Sequence, residues 1–171
     1  MKLSILGASS NVGHALLDIL SRQGVTAKLL QHQTILKPST FFQIYLNEAE
    51  FLLSSDTIIS LVPIWHFDAF LSRNQPYLLN INTIICLSSA SIFVKRDSPY
   101  VWERNYATKF SEAESTISQL CSRLSITYCF LRPSMIWGNA RDKNISSIVK
   151  LISSYGFLLL PAAGRGYRYP M

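Results

Sequence analysis

Apolar and polar positions along this chain follow a strand-like spacing and then a helical one. The first residues show both patterns: Leu3, Ile5 and Leu6 form a short apolar run, and apolar residues over 12–20 recur every three or four positions. Gly24 stands just after the helical pattern, where glycine commonly ends a helix. The chain therefore opens with a predicted strand, a glycine turn and an amphipathic helix.

The same succession continues along the chain. Four further segments have the length and apolar content of buried strands: residues 25–30, 57–62, 83–87 and 126–131. A helix is predicted just after Pro63. Residues 37–55 are ambiguous, and we interpret them as a strand over 41–46 and a short helix over 47–53. Strands that alternate with helices are typical of a parallel sheet covered on both faces, so the predicted fold class is α/β, a Rossmann-like doubly wound sheet in a single domain.

One long helix is predicted over residues 100–124. Its apolar positions recur at spacings of three and four: Trp102, Tyr106, Phe110, Ala113, Ile117, Leu120 and Leu124. The charged positions that we predict to be exposed are Glu103, Arg104, Glu112, Glu114 and Arg123. An amphipathic helix of this kind packs its apolar face on the sheet.

The glycine turn after the first strand has the composition of a phosphate-binding turn. Gly7 suits the tight turn itself, and Gly13 lets the helix pack close to the strand. Backbone N–H groups at the start of the helix would then face a pyrophosphate, so we predict a dinucleotide site there. Ser10, midway between the glycines, either donates its hydroxyl to a phosphate or marks a degenerate site. A plain strand-to-helix turn without a ligand is the alternative.

Composition and charge narrow the class of protein. The chain has 171 residues, of which 49% are hydrophobic and 15% charged, as in a soluble globular domain. Its net charge of +6 is scattered, with at most Lys95 and Arg96 adjacent, so no nucleic-acid partner is predicted. The sequence has neither a membrane-length apolar run nor a signal-peptide pattern, which favours a cytoplasmic protein without a membrane partner. Cys86, Cys121 and Cys129 form no close pair and are predicted to be buried thiols.

Five segments of the chain together resemble one protein superfamily. In order they are GASSNVG at 7–13, DTIISLVP at 56–63, LSSASIF at 87–93, LRPSMIWG at 131–138 and DKNIS at 142–146. Their order and spacing resemble the NAD-dependent epimerases and dehydratases, also described as nucleoside-diphosphate-sugar epimerases, of the extended and atypical short-chain dehydrogenases. The resemblance covers nearly the whole chain.

The resemblance implies a nicotinamide cofactor. The residues that would bind it are Gly7, Ser9, Ser10, Asn11, Val12, Gly13, Gln31, His32, Leu61, Val62, Pro63, Ser88, Arg132 and Pro133. In such proteins an acidic residue after the second strand binds the ribose of NAD, and a basic one accommodates the phosphate of NADP. Residues 31–33 offer no carboxylate, so NADP is favoured over NAD; the alternative is that His32 is a surface histidine without a ligand. The Arg-Pro pair also suits a plain strand stop.

The resemblance also implies catalytic groups. Ser89 matches the serine whose hydroxyl binds the reacting oxygen of the substrate, although a hydroxyl at a strand end can also simply cap backbone groups. The proton-transfer pair of the family is a tyrosine and a lysine four residues apart, because an ammonium beside a phenol lowers the pKa of the phenol. Here Phe110 stands four residues after Tyr106, and Lys109 stands three residues after it. Tyr106 and Lys109 are therefore predicted as a displaced pair, and the alternative is that Tyr106 only packs.

These implications give a leading hypothesis and two alternatives. The leading one is an NAD(P)-dependent oxidoreductase of the epimerase/dehydratase type that acts on a nucleotide sugar or a similar small molecule. The alternatives are a non-catalytic NAD(P)-binding sensor or interaction module, and a fold remnant without a ligand. Relatives by this resemblance continue further, so residues 133–171 are expected to begin a substrate-binding region that is truncated. The long helix often forms a dimer face in such proteins, which favours a homodimer.

Overall fold

A computed structural model describes residues 2–31, 40–138, 142 and 145–157. The strands in this part of the chain are β1 (Leu3–Leu6), β2 (Ala27–Leu30), β3 (Phe42–Tyr45), β4 (Thr57–Ser60), β5 (Thr83–Leu87) and β6 (Thr127–Leu131). The helices are α1 (Asn11–Arg22), α2 (Glu48–Leu53), α3 (Ile64–Arg73), α4 (Ser91–Val94), α5 (Val101–Arg123) and α6 (Ile145–Tyr155), with a 3₁₀ turn at Gln75–Tyr77. None of the described helices is both long enough and apolar enough to cross a membrane.

The six described strands form one parallel sheet in the order β3-β2-β1-β4-β5-β6. This order runs outward in both directions from β1 and β4, as in a doubly wound sheet. The predicted α/β Rossmann-like fold class is confirmed. Because the connections leave β1 and β4 toward opposite sides, a crevice forms outside the carboxyl ends of these two strands, where folds of this class bind ligands.

The ambiguous segment has the structure that we predicted for it. Strand β3 pairs with β2, and α2 follows it directly. Asn47 caps α2, since its side chain accepts a hydrogen bond from the N–H of Glu50 at 3.1 Å. The cap explains why the chain turns from strand to helix at this residue.

The core has two layers, one on each face of the sheet. On one face Ile5 and Leu29 pack with Leu17 and Leu20 of α1. On the other face lie the larger set of buried side chains, which come from the central strands and from α2, α3 and α5: Leu6, Leu30, Phe51, Ile58, Phe67, Leu71, Ile84, Phe110 and Ile117 among them. Because side chains on both faces of the sheet are buried, the strand sequences are nearly continuous apolar runs and do not alternate with polar residues.

The apolar face of α5 is buried over only part of its length. From Phe110 onward it packs in the core, but Trp102 is 63% exposed and Tyr106 is 44% exposed. A helix of 23 residues is about 35 Å long, whereas a strand of five residues spans about 17 Å. The N-terminal part of α5 therefore extends past the ends of the strands, and the apolar stripe is exposed there.

The Pro133 boundary divides the chain into two compact units, residues 1–132 and residues 133–171. The first contains the sheet, and the described part of the second contains α6. The side chain of Asp142 accepts hydrogen bonds from the N–H and the hydroxyl of Ser146, in the first turn of α6, at 3.1 and 2.6 Å. The expected role of the second unit as the start of a substrate-binding region stays a prediction.

Two of the cysteines are buried as predicted, and the third is not. Cys86 and Cys121 lie in the core, whereas Cys129 is exposed. Its strand, β6, is the last in the order of the described sheet, so part of the strand reaches solvent. The prediction of three buried thiols was therefore wrong for Cys129.

We expect alkylation to separate the three thiols. Burial raises the pKa of Cys86 to about 12 and that of Cys121 to about 11, so neither forms an appreciable amount of thiolate near pH 8. Iodoacetamide at that pH should modify Cys129 in the native protein and all three cysteines in denaturant, as read by peptide mass spectrometry. Modification of Cys86 in the native state as fast as that of Cys129 would contradict the burial.

Candidate functional site

The turn after β1 packs directly against the segment after β4. Gly7 has a φ of +78°, a left-handed conformation that favours glycine. A Cβ atom at this position would lie 2.9 Å from the carbonyl carbon of Leu61 and 3.0 Å from a methyl carbon of Val62. The carboxyl ends of β1 and β4 thus meet at the crevice that the topology creates, with no room for a side chain between them.

Gly13 allows α1 to start immediately above this turn. A Cβ atom on Gly13 would lie 2.3 Å from the carbonyl oxygen of Ala8 and 2.6 Å from that of Gly7. Both contacts are with backbone, which cannot move aside as a flexible side chain can. The two glycines that the sequence singles out therefore stand in one tight strand–turn–helix unit.

Ser10 caps the first turn of α1. Its hydroxyl oxygen accepts a hydrogen bond from the N–H of Gly13 at 3.0 Å, and its own N–H donates to the carbonyl of Gly7 at 3.0 Å. A hydroxyl that accepts in this way still has its proton to donate. Ser9 and Asn11 are exposed. The start of the helix therefore presents a hydroxyl and N–H groups at a surface that an anion can reach.

The end of β2 is described only as far as Gln31. This residue is buried, and its N–H donates to the carbonyl of Tyr45 at 3.0 Å, which continues the pairing of β2 with β3. His32 lies outside the described residues. The predicted contacts of Gln31 and His32 with a cofactor stay predictions.

The two serines after β5 differ in their hydrogen bonding. Ser89 Oγ accepts a hydrogen bond at 3.1 Å from the N–H of Ser91, the first residue of α4. Ser88 is buried and its N–H donates to Leu131, but its hydroxyl has no partner within the described part of the chain. Ser60, at the carboxyl end of β4, has a buried hydroxyl in the same situation.

A buried hydroxyl without a partner costs free energy, and a ligand that supplies a partner recovers it. Ser88 is therefore a stronger candidate for a ligand contact than Ser89. Sequence reasoning missed Ser60. Its position as the last residue of the strand beside β1 is the signal that could have found it.

Tyr106 and Lys109 meet on the indole ring of Trp65. The Tyr106 and Trp65 ring centroids are 5.7 Å apart in an edge-to-face arrangement, and Lys109 Nζ lies 4.3 Å from the centroid of Trp65. No hydrogen bond joins Tyr106 to Lys109 among the described residues, and Tyr106 also packs on Phe110 at 5.1 Å. The geometry is that of an aromatic cluster with a cation on it.

Trp65 is the residue that sequence reasoning missed at this place. It stands two positions after Pro63, in the first turn of α3. Its ring packs edge to face on Phe110 at 5.2 Å as well as on Tyr106. It therefore connects the segment after β4, which contacts Gly7, with the helix that carries Tyr106.

Arg132 forms a paired ionic contact with Glu114 of α5. Its Nε and Nη2 donate to the two carboxylate oxygens at 2.8 and 2.5 Å, and its guanidinium lies over the rings of Phe93 and Phe130. Glu114 is only 8% exposed, so the prediction that it is a surface charge was wrong. An arginine eighteen residues further along the chain compensates its burial.

The predicted cofactor contact of Arg132 stays a prediction, and the structure gives this residue a role in joining β6 to α5. Pro133 belongs to the second unit of the chain.

Removing the two partners of this pair should have unequal effects. Arg132→Met leaves the buried Glu114 carboxylate without its partner and should lower the free energy of unfolding by about 2 kcal/mol, a reduced value because the arginine side chain is 38% exposed. Glu114→Gln leaves a guanidinium that reaches water and should cost about 1 kcal/mol. Urea unfolding of both variants measures the difference. A larger loss for Glu114→Gln would contradict this account.

Comparison with known proteins finds similarity in structure alone. The sequence matches no protein-family model and no curated protein. The solved structures that superpose well include a UDP-glucose 4-epimerase with UDP-glucose from Thermotoga maritima (TM-score 0.67, 13% identity), a short-chain dehydrogenase/reductase superfamily protein with bound NAD from Agrobacterium tumefaciens (0.64, 11%), and the enzyme WbmG in complex with NAD from Bordetella bronchiseptica (0.63, 12%).

These superpositions cover 99, 91 and 90% of this chain and 69, 59 and 60% of the respective solved chains. At such identities the likeness establishes the fold. This chain has the fold of UDP-glucose 4-epimerase and of the NAD-bound short-chain dehydrogenase/reductase proteins.

Proposed function

We propose that the chain binds an NAD(P) dinucleotide at the turn between β1 and α1. The observation that carries the proposal is the clearance at Gly13, where a Cβ atom would lie 2.3 Å from the Ala8 carbonyl oxygen. In a pyrophosphate-binding turn the last glycine lets the helix pack close to the strand, so that the N–H groups of its first turn lie beside the phosphates, and the close approach at Gly13 fits that role. The half-buried cap formed by Ser10, between the exposed Ser9 and Asn11, supports an anion at the same place.

The residues around the crevice also fit the part of the dinucleotide that lies beyond the pyrophosphate. Leu61 and Val62 border it beside Gly7, and Pro63 follows them in the chain. Ser88, at the carboxyl end of the next strand, offers a buried hydroxyl that has no partner among the described residues. A nicotinamide cofactor would supply hydride acceptance or donation when bound. We propose NADP before NAD because residues 31–33 carry no carboxylate for the ribose, although the solved structures named above hold NAD.

We further propose a reaction of the epimerase/dehydratase type on a nucleotide sugar or a similar small molecule. The shared fold with UDP-glucose 4-epimerase supports this reaction class. Ser89 would bind the reacting oxygen of the substrate, and Tyr106 with Lys109 would move its proton. We propose a cytoplasmic protein without a nucleic-acid or membrane partner, as the scattered charge and the sequence pattern favour. We also propose a homodimer, with the long helix α5 as its contact face.

Calorimetric titration of the 171-residue protein with NADPH and NADH tests the binding proposal. We expect micromolar affinity, with NADPH the tighter ligand. A folded protein that binds neither dinucleotide would refute the proposal and leave a fold without this ligand.

Turnover of UDP-glucose in the presence of the bound cofactor tests the reaction. Ser89→Ala and Tyr106→Phe should each abolish turnover while leaving the affinity for dinucleotide unchanged. Full turnover in both variants would refute the assigned catalytic residues.

A second candidate function is dinucleotide binding without catalysis, as in a sensor or interaction module. The observation that favours it is the position of Phe110, which is 7% exposed in the core where the resemblance has a lysine. Lys109 lies on Trp65 instead. Tight binding of a dinucleotide without turnover of any nucleotide sugar tested would establish this alternative.

A further inference from the structure

A cavity of about 380 Å³ lies between α4, α5 and the end of β6. Its walls include Phe93, Arg96, Ser111, Glu112 and Arg132. It is separate from the glycine turn, since none of its lining residues comes from β1, α1 or the segment after β4. Its volume is within the range of sites for small organic ligands.

Four charged side chains line the cavity. Arg132 and Glu114 form an ion pair, whereas Arg96 and Glu112 are not held by a strong ion pair among the described residues. Arg132 and Glu114 neutralise each other through two hydrogen bonds. Within the described ranges Arg96 pairs with Asp97 alone, at 3.8 Å, and the two side chains are 74 and 85% exposed, so the pair is weak. Glu112 has no side-chain hydrogen bond or ion pair among the described residues. The cavity thus offers one uncommitted cation and one uncommitted anion.

Arg132 also retains a donor for a ligand. Its Nε and Nη2 are bonded to Glu114, and Nη1 has no acceptor within the described part of the chain. The rings of Phe93 and Phe130 lie 5.3 and 5.8 Å from the guanidinium carbon and hold the group in place. A guanidinium fixed in advance loses little conformational entropy when it binds a carboxylate.

The remaining walls are apolar or carry hydroxyl groups. Ile92, Phe93 and Ala107 contribute apolar surface, and Phe93 is 61% exposed. Thr108 and Ser111 contribute hydroxyls. A ligand of one charge sign would place that charge near a like-charged residue, and a purely apolar ligand would leave polar groups without partners.

We propose that this cavity binds the zwitterion of an α-amino acid with an apolar side chain. The ligand carboxylate accepts hydrogen bonds from Arg132 Nη1 and Arg96, its ammonium pairs with Glu112, and its side chain packs on Phe93. The proposal rests on the lining of the cavity and is independent of dinucleotide binding.

Saturation-transfer NMR with L-phenylalanine, in the absence of any dinucleotide, tests the proposal. We expect a millimolar dissociation constant, as suits a ligand of about a dozen non-hydrogen atoms. L-Phenylalaninamide lacks the carboxylate and 3-phenylpropionate lacks the ammonium, so each should bind about tenfold more weakly. Equal binding of either analogue, or no saturation transfer from phenylalanine, would overturn the proposal.

Variants of the lining identify the site. Phe93→Ala and Glu112→Gln should each weaken phenylalanine binding about tenfold. Glu112→Gln should leave the binding of 3-phenylpropionate unchanged, because that ligand has no ammonium. Val94→Ala is the matched control, since Val94 is 77% exposed on α4 and does not line the cavity. An equal loss in the control, or full binding by Phe93→Ala, would overturn the assignment.

Discussion

Replacing Gly13 with alanine is expected to abolish dinucleotide binding and to lower the free energy of unfolding by about 3 kcal/mol. The added methyl carbon would start 2.3 Å from the Ala8 carbonyl oxygen and 2.5 Å from its carbonyl carbon. Because both atoms belong to backbone, α1 has to move away from the turn. That movement displaces the N–H groups and the Ser10 hydroxyl that would contact the pyrophosphate. Calorimetric titration with NADPH and urea unfolding measure the two effects.

Gly24→Asn provides the matched control for this prediction. Gly24 also has a positive φ, +68°, but a Cβ atom there would meet nothing within 4 Å. Asparagine tolerates the left-handed conformation, so this variant should lose about 1 kcal/mol of stability or less and keep its affinity for NADPH. If Gly13→Ala binds NADPH as wild type does, the turn is not the binding site.

The fold could be predicted from the sequence because its determinants are local. Apolar runs of strand length, separated by helical periodicity, identify each element, and the order of elements leaves a parallel sheet as the simplest arrangement. The predicted strand at 83–87 matches β5 residue for residue. Local sequence also determined the change from strand to helix within residues 37–55. Asn47, which stands between β3 and α2, is a poor strand residue and a good helix cap.

The glycine turn could be predicted for the same reason. Gly7 and Gly13 are six residues apart, and the contacts that require them involve the turn itself and the segment after β4. The sequence did not predict that the N–H of Gly13 donates a hydrogen bond to Ser10 Oγ. This hydrogen bond shows that Ser10, midway between Gly7 and Gly13, is compatible with an ordered start of α1.

Two of the failures, at Glu114 and at Trp65, concern contacts between residues distant in sequence. Glu114 looks like a surface charge when only its own helix is considered, and its partner Arg132 comes from the end of β6. Likewise, Trp65 joins Tyr106 and Lys109 from another helix, α3. Periodicity describes one element at a time, so it cannot say which side chain from elsewhere will occupy the space beside a candidate catalytic group.

The second large effect is expected from Phe110→Lys, which places a lysine four residues after Tyr106. Phe110 is 7% exposed and packs edge to face on Trp65 and Tyr106. Loss of this ring should lower the free energy of unfolding by about 4 kcal/mol, since a lysine stem recovers little of the packing and its ammonium has to leave the core. Lys109→Met should cost less than about 1 kcal/mol, because it removes only a cation–π contact of an exposed side chain.

Urea unfolding of Phe110→Lys, Lys109→Met and the milder Phe110→Leu separates packing from chemistry. If position 110 is part of the core, stability should fall in the order Lys109→Met, Phe110→Leu, Phe110→Lys, and the lysine should bring no gain in turnover of UDP-glucose. A Phe110→Lys variant that keeps wild-type stability and gains turnover would instead show a site ready for a lysine. The aromatic contacts around Trp65 favour the first outcome, because they make Phe110 a structural member of the cluster on which Tyr106 rests.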